Sequence, residues 1–119
     1  MPSLPPPPIP LGLREMLKEY PEHIERLQQA LNSVVDKPMK GTPPLEVAIW
    51  ELEGTLETFI SEAREELRVG EENGNPEAIA AGKKKVLLML DCRSSRSAWH
   101  MKNLIEHFDE MKSGGHYGE

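Results

Sequence analysis

The chain has 119 residues, a net charge of −6 and a single cysteine. That length holds one domain with one modest core. One cysteine excludes an internal disulfide, and the longest apolar run, Val86–Leu90, excludes a membrane-spanning helix.

The first ten residues are rich in proline, and Pro5–Pro8 are expected as polyproline II or irregular chain. A ligand for an SH3 or WW groove would carry a basic residue close by, and Arg14 lies too far along. Residues 1–10 therefore read as an extended arm, either disordered or laid on the body of the protein. They lack the basic and apolar regions of a secretion signal. With the lone thiol, this gives a cytoplasmic protein as the expectation.

Residues 11–112 read as a single α-helical domain. Leu13, Met16, Leu17 and Tyr20 are spaced for a short first helix, and Pro21 can end it and open the next. In that second helix Ile24, Leu27, Leu31, Val34 and Val35 make one narrow apolar stripe. A loop with three prolines and a glycine follows over Asp36–Pro44.

Thr42 as N-cap and Pro43 in the first turn open a long helix. Leu45, Ile49, Leu52, Leu56, Phe59, Ala63 and Leu67 alternate in steps of four and three, the seam of one helix packed along another. Gly70 and the segment Glu71–Gly74 end it, and Asn75-Pro76-Glu77 starts the next helix with a cap, a proline and an acid. There Leu87, Leu90, Met101, Leu104, Phe108 and Met111 hold one heptad phase across the polar stretch Asp91–Ser97. The helix either runs through that stretch to Lys112 or kinks there, and the shared phase favours continuity. Residues facing each other across the turn should have numbers adding to about 146, which sets Leu56 opposite Leu90. The two short helices should cover the open end, the first of them over Phe108 and Met111. Residues 113–119 are expected as a flexible, frayed tail. The predicted fold is thus all-α: a helical bundle on a long antiparallel helical hairpin, with two shorter N-terminal helices.

Charge is divided between the long helices. Pro43–Asn73 carries nine glutamates against Arg64 and Arg68, and Pro76–Lys112 carries seven cations against five acids. The two helices can compensate each other across the hairpin, or the acidic one can face a basic partner. Lys83–Lys85 has no aromatic platform beside it, and an acidic surface repels phosphate, which disfavours direct nucleic-acid binding.

Metal and catalytic chemistry find little purchase. The residues three before His23, His100, His107 and His116 are not glutamates, so a di-iron bundle site is not encoded. Glu62, Glu65 and Glu66, with Glu106 and Asp109, resemble the E-x-x-E-E and E-x-x-D magnesium clusters of MazG-type all-α nucleoside triphosphate pyrophosphohydrolases. That resemblance implies Mg²⁺-dependent nucleotide hydrolysis. The hairpin register sets the two clusters roughly 30 Å apart, a gap only a second chain could close. No catalytic, cofactor or metal residue is therefore assigned, and no cofactor is expected.

What remains is surface. Trp50 and Trp99 fall off the seam at nearly one height, with Val47 beside Trp50 and with Leu88 and Cys92 extending the face of Trp99. The narrow stripe of the second helix covers one tryptophan, and Trp99 is expected to be the one left to anchor a second copy or a foreign partner. Alternatively, the short helices and the arm cover both. The sequence thus predicts a small acidic protein-interaction or regulatory module, non-catalytic, binding a protein partner, itself, or both. A nucleotide hydrolase and an acidic inhibitor of a basic partner, of the kind seen among phage and bacterial accessory factors, are the alternatives.

Overall fold

The computed structural model describes residues 6–36 and 41–117, the last of these, 111–117, as backbone only. The expectations for residues 1–5 of the arm, for 37–40 of the loop, for the Met111 side chain and for 118–119 lie outside the described residues. Among the described residues there are five α-helices, one 3-10 turn and no strand: α1 (Leu11–Met16), α2 (Pro21–Asp36), α3 (Pro44–Asn73), α4 (Pro76–Ser94), the 3-10 turn (Arg96–Trp99) and α5 (Lys102–Tyr117). The predicted all-α bundle on an antiparallel hairpin is the fold observed, in a body 63 Å long and 24 Å across.

The hairpin is α3 against α4. The seam of α3 follows the prediction: Leu52, Leu56, Phe59 and Ala63 are fully buried. The helix begins one residue late, after Pro43, and Thr42 does not cap it. It also runs through Gly70, where a break is expected. Gly70 is there for approach rather than termination, since a side-chain carbon on it would lie 3.2 Å from the Ala78 methyl. The turn comes at Gly74, left-handed at φ 64°, and Asn75 accepts hydrogen bonds from the amides of Glu77 and Ala78 at 3.1 and 3.2 Å.

On α4 the expected seam is replaced. Leu87 is 67% exposed. The inward residues are Ala78, Gly82, Lys85, Met89 and Cys92, again in steps of four and three. Gly82 is the close-approach point, where an added methyl would meet the Leu67 backbone at 3.1 Å. Met89 and Cys92 are fully buried, and the stem of Lys85 lies along the bundle with its ammonium 3.0 Å from Glu66.

The helix predicted to be continuous stops at Ser94. The Ser94 hydroxyl donates to the Leu90 carbonyl at 2.9 Å, and the Ser95 hydroxyl donates to Asp91 Oδ1 at 3.0 Å. The Ser94 bond, to a backbone carbonyl, competes with the helix ladder. The chain then makes the 3-10 turn, passes through His100 at φ 51°, and enters α5 in a new direction. This overturns the expected outward position of Trp99: it is fully buried, and its indole N–H donates to the Cys92 carbonyl at 2.6 Å.

The short helices close the open end. Helix α2 lies along α3, burying Leu27, Leu31 and Val34. Helix α1 docks chiefly on the 3-10 turn and α4, and its Leu11 amide also donates to Asn103 of α5 at 3.4 Å. Leu13 and Leu17 are fully buried in the same core cluster as Trp99. The described part of the arm is laid on the bundle. Pro7, Ile9 and Pro10 are buried, the Pro7 carbonyl accepts from Gln28 at 2.7 Å, and the Ile9 carbonyl accepts from Asn103 at 2.9 Å. The backbone of α5 stays helical to Tyr117, past Gly114 and Gly115 where fraying is expected.

Candidate interaction surface

The five residues singled out as an interface do not share a face. Trp99, Cys92 and Val47 are in the core, and Leu88 is half-buried against it. Trp50 alone is open, with 54% of its surface exposed. It stands on the side of α3 away from α2, one turn before Glu53, the residue that pairs with Arg93 and Arg96 of the other hairpin strand.

From Trp50 the same side of α3 continues through Glu53, Glu57, Ser61 and Arg64, in steps of three and four. Beside it α4 presents Lys83, Leu87 and Leu90. Between the two helices lies an open cleft of about 300 Å³, lined by Glu57, Ile60, Ser61, Arg64 and Leu90. Leu87 and Trp50 are the most exposed large apolar groups of the hairpin. Sequence reading missed Leu87, because its heptad phase matched that of Leu104 and Phe108 beyond the break.

The acid of α3 is largely compensated within the chain. Lys85 pairs with Glu66, Arg93 with Glu57 at 3.0 Å, and Arg96 with Glu53. Arg26 of α2 grips Glu62 with two bonds of 2.7 and 2.8 Å and lies over the Phe59 ring at 4.8 Å. That grip holds the Glu62 carboxyl below and the Arg26 guanidinium above their ordinary pKa ranges. Arg68 does the same to Glu65. Among the described residues, Glu46, Glu51 and Glu71 of α3 make no ion pair, nor do Arg64, Lys83 and Lys84.

The three α3 carboxylates of the magnesium pattern each face a cation: Glu62 meets Arg26, Glu65 meets Arg68 and Glu66 meets Lys85. Glu106 and Asp109 are on α5, which packs at the other end of the hairpin. Among the described residues no group of three His, Cys, Asp or Glu side chains is arranged to hold a metal ion.

Two other features are chemically distinctive. His23 stacks on Phe59 at 4.2 Å and near Tyr20 at 5.6 Å, with its Nε2 buried and without a hydrogen-bond partner. Burial, then Lys85 and Arg26, push its pKa down. Cys92 is inert as a nucleophile, because burial and then the nearby Asp91 charge push its thiol up to about 12. A second open groove, of about 480 Å³, lies between α1 and the 3-10 turn, lined by Leu11, Met16, Ala98 and His100.

Comparison with known protein families, with curated proteins and with solved structures finds nothing that matches this chain.

Proposed function

We propose that the chain is a non-catalytic protein-interaction module whose contact surface is the outer face of the α3–α4 hairpin. The observation that carries this reading is Trp50, more than half exposed on a domain that buries its other tryptophan completely. An exposed tryptophan is costly in water and typical of interface anchors, and Leu87 adds a second exposed apolar group further along the hairpin. The hydrolase alternative loses support because its three first glutamates already face arginine or lysine. A buried, unreactive thiol suits the reducing cytoplasm, which we take as its compartment. No described helix is long and apolar enough to cross a membrane.

The test is site-specific photo-crosslinking in the native host. A benzophenone side chain at position 50 or 87 should trap a discrete protein adduct, and one at Thr58, exposed on another side of α3, should not. Equal labelling from all three positions, or none, would remove the reading.

A further inference from the structure

We infer that the partner on this face is a second copy of the chain, docked about a two-fold axis through the cleft at Ile60, Ser61 and Leu90. The inference rests on the interaction-module reading and names its partner.

The face is polarised along its length. Towards the open end α3 carries Glu46, unpaired among the described residues, and Glu57, whose one bond to Arg93 leaves its side chain 61% exposed, while Glu53 is taken up by Arg93 and Arg96; towards the turn the exposed charges beside the cleft are Arg64 on α3 and Lys83 on α4. Arg64 and Lys83 have no carboxylate at ion-pair distance among the described residues. A two-fold axis midway between Glu57 and Arg64 sets each copy's Glu57 against the other's Arg64, twice per dimer. It also carries Lys83 of each copy towards the Glu53–Glu57 stretch of the other. A surface whose two halves complement each other about its own midpoint is what an isologous dimer requires.

The apolar groups fit the same axis. Leu87 is one turn from Leu90 and 67% exposed. Near the axis, each Leu87 lies over the other copy's cleft between Ile60 and Leu90, whose volume of about 300 Å³ has room for a leucine side chain. The strip from Trp50 to Arg68 is about 27 Å long at 1.5 Å per residue and one helical hairpin wide. A face of that size is at the small end of specific interfaces, so a dimer no tighter than micromolar is expected.

The experiment is sedimentation equilibrium of the parent and of charge-reversed variants. The parent should dimerise in the micromolar range. Arg64→Glu and Glu57→Lys should each weaken self-association by about tenfold or more, because each sets like charges face to face. Mixing the two variants should restore a dimer. The new lysine of the Glu57→Lys chain then meets the new glutamate of the Arg64→Glu chain, and the other Glu57–Arg64 pair across the axis is native. Loss of fold could not be rescued by mixing. Leu87→Asp should abolish the dimer with little change in melting temperature. A parent that stays monomeric at high micromolar concentration overturns the inference, as does a mixture no more associated than its components. Adducts from position 50 to a different protein, with a monomeric parent, would end the homodimer and leave the interaction reading standing.

Discussion

Gly12 offers the sharpest test of how the open end is held. Intrinsic helix propensity favours alanine over glycine by about 1 kcal/mol, so an unconstrained site in α1 should gain stability from Gly12→Ala. The structure predicts the opposite. An added methyl carbon would overlap the Ala98 carbonyl oxygen, and would lie 2.5 Å from the His100 ring and 2.7 Å from the Trp99 carbonyl carbon, against ordinary contact at 3.4–4 Å. Two of those three neighbours are backbone and cannot rotate away. Helix α1 must lift, and it carries Leu13 and Leu17, both fully buried with Trp99. Overpacking of this kind costs ~1–3 kcal/mol, and partial uncovering of one leucine adds ~1 kcal/mol. Less the ~1 kcal/mol gained in helix propensity, a net loss of about 2 kcal/mol follows, or roughly 8 °C in melting temperature for a domain of this size. Gly54→Ala is the control. It lies mid-helix with nothing within 4 Å of its added methyl, so it should gain ~0.5–1 kcal/mol. Thermal and urea unfolding followed by circular dichroism measure both. A Gly12→Ala chain melting at or above the parent would refute the docking of α1 on the 3-10 turn.

Four further outcomes are expected. Leu56→Ala, in the centre of the α3 seam and fully buried, should lose ~2–5 kcal/mol in urea unfolding; an unchanged midpoint would contradict its place in the core. His23 binds protons less readily folded than unfolded, so its contribution is intact above pH 6.5 and lost as pH falls through its lowered folded value. His23→Gln should flatten stability against pH over that window, while Glu62, also lowered, acts further down, below its ordinary 4.5. A double-mutant cycle between Arg26 and Glu62 should give less than ~1 kcal/mol despite the bidentate geometry, because both side chains are about two-fifths exposed; a coupling of several kcal/mol would be incompatible with that. In dilute solution iodide should quench the emission left in Trp99→Phe, which comes from Trp50, and should spare that left in Trp50→Phe; equal quenching would mean Trp99 is not enclosed.

The parts of the fold legible in the sequence are those where burial and hydrophobicity coincide. Helix α3 is such a case, because Leu52, Leu56 and Phe59 are both the apolar residues and the buried ones. So is the turn, where Asn75, Pro76 and Gly74 each have one local role that tertiary contacts do not override. Helix α4 is the opposite case. Its inward stripe includes alanine, glycine and lysine, chosen for close approach and for a long stem ending in an ion pair, so a count of apolar residues does not find it. Gly70 reads as a terminator for the same reason. Only the neighbouring helix reveals that its missing side chain makes room for Ala78.

On the same helix the expected outward positions of Cys92 and Trp99 are replaced by burial, and the geometry explains how. At about 100° per residue, the inward stripe of α4 and the inward residues Leu104 and Phe108 of α5 point roughly 110° apart if the helix is carried straight through. A continuous helix burying both sets would need an inward face wider than the narrow seam of α3. The break from Ser95 to Met101 absorbs that rotation, and in doing so it turns Trp99 inward over the Cys92 carbonyl. A seam drawn in the phase of α5 and carried back across the break lands on Leu87 and Leu90, on the outer side of α4. Leu87 is therefore apolar and exposed, and Leu90, half-buried, lines the cleft beside it. The residues that made a straight helix look plausible are the ones that make the outer face sticky. Trp50, on α3, is unaffected by the break and remains where its own helix points it. If the two-fold pairing holds, the exposed Leu87 needs no foreign partner to explain it, because the hairpin face that excludes it from its own core receives it from the other copy.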